Sequence, residues 1–404
     1  MARLNNISFE LNALAVYEVS AVAGSPVIQS AVAISGVYAL QITSLSSGVV
    51  KTIRQEFVAA DNNGPFFIRT DFRVDTAPSA ENRIILVNDT NDAVTPQVYI
   101  TIDNGRLLRL YDEDGVIGSA SSALTLTARH RIELEINRVP AAGSQVVRAR
   151  LDGVEFAGSA TRDLSVGFEF LLLGGNLASE AQTTGNWYFD NVAVNNNTGS
   201  SETSYPGDGE QIFLRPNAAG DLNTWARGGA DSGANWSQTE EVTPNDATDF
   251  VLENTTNADP ALCSDMYNLE ATPAALASDD VINLVAVGFR CAVDVATGAD
   301  PDIVLRIAKE ASGTVEESAA IDVNNTSWRT HNSGALLNYL LTLYDEPGAS
   351  TTAWTKATLD TAQIGVRLSV TDTHNAQVTA IWLLVDHKPA AAAAGNPWYA
   401  YAQQ

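Results

Sequence analysis

Glu133 and Glu135, in the run Glu133-Leu-Glu-Ile-Asn137, are a carboxylate pair suited to acid–base chemistry. On a strand they share one face, because successive side chains alternate. Cleaving a glycosidic bond asks for two carboxylates, roughly 5 to 10 Å apart, flanking the sugar. A solvated strand face, with Leu134 and Ile136 turned to a core, explains the same spacing better. Nucleophilic catalysis has less to draw on. His130, His331, His374 and His387 accompany no Gly-x-Ser-x-Gly turn and no Cys–His pairing. No phosphate-binding glycine loop occurs. Cys263 and Cys291 lack the spacing of a zinc site, and two buried thiols account for them better than one bridge. The expectation is that the chain is not an enzyme and has no catalytic residues.

Calcium is the candidate metal, because hard oxygen ligands suit it. Asp89-Thr-Asn-Asp92 and Asp112-Glu-Asp114-Gly supply candidate ligands in Asp89, Asp92, Asp112 and Asp114. Neither run matches a twelve-residue calcium loop, and hairpin turns favour the same residues for backbone reasons. No other cofactor is expected. Trp225, Trp236, Trp328 and Trp354 are candidate glycan contacts, flanked by polar loop residues. Their competing use is to fill a sandwich core. Trp398, Tyr399 and Tyr401 follow five alanines at the chain's end and are candidate assembly contacts. Three aromatics are costly to expose, and this predicts that the tail docks on its own or a neighbouring subunit.

The elements that must position these residues are strands. Residues 66–74, 97–102, 106–111, 130–137 and 145–151 alternate apolar and polar, the period of a half-buried strand. Asp103-Asn-Gly105, Asp112-Glu-Asp-Gly115 and Asp152-Gly153 punctuate them as hairpin turns. Further strands are expected at 9–17, 31–42, 166–173, 210–214, 281–293, 302–309, 364–370 and 378–386, with a helix or strand at 334–344. No segment keeps a sustained helical period. The fold class is all-β, two β-sandwich (jelly-roll) domains in tandem. Residues 196–209, rich in Asn, Ser, Thr, Gly and Pro, divide the chain. The expected divisions are 1–197, a linker at 198–209, 210–389 and a tail at 390–404. At 404 residues, 45% hydrophobic, the chain can bury two cores.

Formal net charge is -25, with 48 acidic against 23 basic residues. That balance speaks against nucleic acid and anionic lipid as partners. The N-terminus lacks the continuous apolar run of a signal peptide, so synthesis in a cytoplasm without general secretion is expected.

Residues 1–197 resemble the concanavalin A-like, laminin-G-like jelly roll. The likeness rests on Phe66-Phe-Ile-Arg-Thr-Asp-Phe-Arg-Val, the hairpin Tyr99-Ile-Thr-Ile-Asp-Asn-Gly-Arg-Leu, and His130-Arg-Ile-Glu-Leu-Glu-Ile with Arg148-Ala-Arg-Leu-Asp-Gly-Val-Glu-Phe. It closes on Gly185-Asn-Trp-Tyr-Phe-Asp-Asn-Val-Ala-Val. Retaining glucanases of that fold carry Glu-x-Asp-x-x-Glu, which Glu133-Leu-Glu135-Ile-Asn137 does not complete. Residues 210–389 are similar to β-domains of minor structural proteins of tailed bacteriophages. That likeness rests on Ala234-Asn-Trp, Asn245-Asp-Ala-Thr-Asp-Phe-Val, Asp265-Met-Tyr, Asp302-Ile-Val-Leu-Arg-Ile and Trp328. The resemblance implies a structural component of a virion, made in the host cytoplasm and decorating capsid or tail. It would be a homo-oligomer beside other virion proteins, without nucleic acid or membrane as partner. Its alternatives are a carbohydrate-binding adhesin for a surface glycan and a glycan-degrading enzyme.

Overall fold

The computed structural model describes residues 3–17, 19, 21–43, 52–58, 62–89, 97–175, 185–229, 233–253, 262–295, 301–330, 339–349, 351–370 and 374–390. It is all-β, four antiparallel sheets in two pairs. Sheet one runs Val154–Arg162, Gln145–Leu151, His130–Asn137, Phe66–Val74, Asn186–Asn195, Ala39–Thr43 and Val27–Gln29, with Arg3–Ile7 beside Asn186–Asn195. Sheet two runs Gly115–Ile117, Leu108–Asp112, Val98–Ile102, Asn82–Asn88, Phe170–Gly174, Thr52–Glu56 and Ala21–Ala23. Between them lie Phe66, Ile68, Phe72, Ile100, Leu110, Leu134 and Phe189, the apolar positions of the alternating strands.

Sheet three is built on two long strands, Val281–Val293 and Ala376–Lys388, joined by Glu210–Leu214, Ala226–Gly229, Asp249–Leu252, Arg329–Thr330 and Leu341–Leu343. Sheet four holds Pro216–Asn223, Ser264–Leu269, Gln363–Val370, Asp302–Ala308, Val315–Glu317 and Ile321–Asp322. The long strands are nearly continuous apolar runs because both of their faces are covered. Val378, Ile381, Leu383 and Val385 enter the core shared with sheet four. Ala380, Trp382 and Leu384, with Leu284 and Ala286, belong to the cluster of the first half. The two halves therefore pack through shared apolar side chains.

Two local expectations change, and one alternative at 334–344 is met. Residues 9–17 do not form a strand. The strand is Arg3–Ile7, and Leu14–Tyr17 form a 3-10 turn. Phe9 takes φ +62°, so Phe9, Leu11, Val16 and Tyr17 all reach the interior from a compact segment. The strand expected over 31–42 begins only at Ala39. Gly36 bends the chain at φ +58°, where a Cβ would overlap the Glu10 carboxylate. Within 334–344, the described residues include the strand Leu341–Leu343.

Candidate functional site

The outward face of sheet two carries a hollow of about 230 Å³ lined by Glu81, Asn82, Arg83, Tyr99, Thr101 and Tyr111. Its geometry starts at a turn. Asp103 Oδ1 accepts from the backbone N–H groups of Gly105 (2.8 Å) and Leu107 (3.0 Å), and Arg106 sits at φ +65°. This turn sets Ile102 opposite Leu108 and hence Tyr99 opposite Tyr111. The two half-buried rings stack, centroids 4.9 Å apart and planes within 2°. The Arg83 guanidinium lies 4.6 Å from the Tyr99 centroid. Thr101 Oγ1 and Tyr111 OH donate to Glu81 Oε1 at 2.6 and 2.8 Å. Burial, then the bond to Glu81, pushes the Tyr111 phenol up to about 12, so it stays a donor at neutral pH. Asn82 is 1% exposed; its amide N–H donates to Ala80 O, while Oδ1 has no hydrogen-bond partner. Asn82 stands opposite the core residue Ile102, so its side chain turns to the interior and only Glu81, Arg83, Tyr99, Thr101 and Tyr111 offer side chains to the hollow. Residue types alone did not single out Tyr99 and Tyr111. Counting outward from the Asp103-Asn-Gly turn would have paired them.

Glu133 and Glu135 lie on the outward face of sheet one, as the alternation requires. The face is covered by the segment joining the halves. Gly207 N–H donates to Glu133 Oε1 at 2.9 Å, and Tyr205 OH donates to Glu135 Oε2 at 2.8 Å. Arg131 and Arg148 pair with Glu133 and Glu135, each at 3.4 Å. The Tyr205 ring lies 5.2 Å from Phe67, centroid to centroid, and 3.6 Å from the Arg150 guanidinium carbon. Burial and the neighbouring Glu135 carboxylate raise its phenol well above its ordinary value. A segment read from composition as a solvated linker thus buries Pro206 and packs a tyrosine.

The remaining candidates scatter. Asp112 is 2% exposed and receives the Arg162 guanidinium on both carboxylate oxygens, so a cation already sits where calcium was expected. Asp114 is exposed beside the same Arg162. Asp89 is half-buried just after Asn82–Asn88, and Asp92 lies outside the described residues. Among the described residues, no three His, Cys, Asp or Glu side chains converge on a metal-sized gap. Trp225 and Trp354, at 4% and 2% exposure, fill the core between sheets three and four and are not glycan platforms. Trp236 is half-buried against that core, and Trp328 packs on Phe250 at 5.7 Å. Cys263 and Cys291 are buried without a disulfide. Trp398, Tyr399 and Tyr401 lie outside the described residues. No helix among the described residues is long and apolar enough to cross a membrane.

No protein-family model matches the sequence, and no curated protein matches it. Several solved structures align with part of the chain. Cellulose induced protein Cip1 is 14% identical at a TM-score of 0.33, over 42% of this chain and 84% of that one. A carbohydrate esterase of Shiga toxin-encoding bacteriophage phi24B is 16% identical at 0.36, over 48% of this chain and 99% of that one. A Trypanosoma rangeli sialidase is 13% identical at 0.29, over 39% of this chain and 27% of that one, so the alignment spans about a quarter of the sialidase. These neighbours are carbohydrate-related, and two of the three are enzymes. The expectation that the chain is not an enzyme, drawn from missing linear motifs, is not upheld. Linear motifs are a poor guide in a sheet fold, where reacting groups come from different strands.

Proposed function

We propose that this chain binds carbohydrate, and that the hollow on the outward face of sheet two is the contact surface. The observation that carries the reading is the stacked Tyr99–Tyr111 pair beside Glu81 and Arg83 in an open hollow. A sugar ring offers apolar C–H patches to aromatic rings and hydroxyl donors to a carboxylate. The sequence resemblance to tailed-phage structural proteins supports a setting for this surface: a homo-oligomer on a phage particle, beside other virion proteins, facing a host glycan.

The test is calorimetric titration of the full chain with cellohexaose, maltohexaose and hexagalacturonate, repeated on Tyr111→Ala and Glu81→Gln. Binding of one sugar, weakened at least about tenfold by Tyr111→Ala, is expected; removing an aromatic contact and its polar handle costs about 1 to 2 kcal/mol. Equal affinity in wild type and both variants would remove the site from consideration.

A further inference from the structure

The segment over sheet one has the contacts of a ligand as well as those of a connector. Tyr205 fills a slot in which the Arg150 guanidinium carbon lies 3.6 Å over its ring and the Phe67 ring, tilted by 60°, closes the side. Two carboxylates beside the slot take one hydroxyl and one N–H, from Tyr205 and Gly207. Asp208 pairs with Arg131 at 3.1 Å and with Arg129 at 3.5 Å. These contacts are polar or aromatic, the kind that water or a solute can replace. Upstream, Glu202 is held at φ +54° by Arg3, a backbone conformation that costs energy in a non-glycine residue. Residues 197–200 before it are exposed. The covered groups are a matched set: Glu133 is 1% exposed, and Arg131, Glu135 and Arg150 surround it on neighbouring strand positions.

We propose that residues 204–209 are a strap closed over a ring-binding groove on sheet one, and that a pyranose carrying hydroxyl donors enters by taking the place of Tyr205. The closed strap is autoinhibitory. A ligand's apparent affinity falls in proportion to the fraction of molecules with the groove open, so releasing the strap raises affinity without new contacts. This groove is separate from the hollow on sheet two and does not depend on it.

The experiment uses the full chain carrying Tyr111→Ala, so that the sheet-two hollow does not contribute. Adding Tyr205→Ala should raise hydrogen exchange at the Gly207 amide. It should also increase affinity for one of cellohexaose, maltohexaose or hexagalacturonate at least about tenfold, and Glu135→Gln should reverse that gain. A folded double variant with unchanged exchange at Gly207 would show that Tyr205 does not hold the strap. Faster exchange without any gain in affinity would show that the groove binds no pyranose. Either result overturns the proposal. If Tyr205→Ala fails to fold, a protease site placed in residues 197–200 and cut in the folded protein frees the strap at one end. The same gain in sugar affinity is then expected, and its absence again overturns the idea.

Discussion

Glu10 is a carboxylate kept from water. It is 4% exposed, accepts from the backbone N–H groups of Val37 at 3.0 Å and Tyr38 at 3.1 Å, and sits against Gly36. Burial raises it from its ordinary 4.5 to about 7, against the opposing pull of those N–H groups and of Arg215. The unfolded chain therefore ionises this group before the folded one does. Its contribution is favourable below about pH 4.5 and is lost as pH rises to about 7. The loss is on the order of 3 kcal/mol. Urea midpoints of wild type and Glu10→Gln, measured from pH 4.5 to 8, should diverge in favour of the variant as pH rises. Parallel curves would refute the assignment. At this scale the sequence was uneven. Glu133 and Glu135 could be placed on one strand face by alternation alone. Glu10 was invisible, because its burial comes from the bend at Gly36, far along the chain. Tyr205 was hidden by its company of Asn, Ser and Gly.

Strands were more legible than sites, and the reason is local. The strands 66–74, 98–102, 108–112, 130–137 and 145–151 carry their own period and their own turns, so pattern and structure coincide. The strand Val281–Val293 was legible as an element but not in its role, because a continuous apolar run does not say which two surfaces cover it. Gly288 in that strand faces the Trp382 indole, and any Cβ there would overlap the ring. Trp382 is 2% exposed, stacks on Phe213 at 5.8 Å, and belongs to the cluster joining the halves. Gly288→Ala should cost about 1 to 3 kcal/mol by overpacking, despite the better strand propensity of any residue with a side chain. Trp382→Phe on top of it should recover part of the loss, since the smaller ring leaves room. Chemical denaturation of the two variants decides it: a neutral Gly288→Ala would mean that the two strands separate at no cost.

The whole molecule turns on one carboxylate. Asp386 lies in the last long strand, with Oδ2 accepting from Arg3 and Arg69, each at 2.9 Å, and Oδ1 accepting from Asn283 at 2.7 Å. The side chains of Asp386, Arg3 and Arg69 are at most 1% exposed. Arg3 and Arg69 come from the first half, Asp386 and Asn283 from the second, and Gln211 from the strand after the strap. Burial alone would push the Asp386 carboxyl up, yet the guanidiniums of Arg69 and Arg3 hold it well below the usual carboxylate range. Its contribution is thus present above the ordinary 3.8 and is lost as pH falls below it. Asp386→Asn leaves the Arg69 guanidinium buried without its anion and Arg3 with Glu202 alone, a change that costs about 3 to 5 kcal/mol. The apolar cluster crosses the same boundary, so the wild type should melt in one calorimetric transition, and Asp386→Asn should lower it and separate the two halves into distinct steps. Replacing the linked charges together, with Arg3→Met, Arg69→Met, Asp386→Leu and Glu202→Gln, should restore part of the stability, because an apolar set avoids the desolvation that the buried charges must offset. Two transitions in the wild type would mean that the halves fold independently and that the triad only aligns them. A single transition left unmoved by Asp386→Asn would mean that the shared apolar strands alone hold the molecule together.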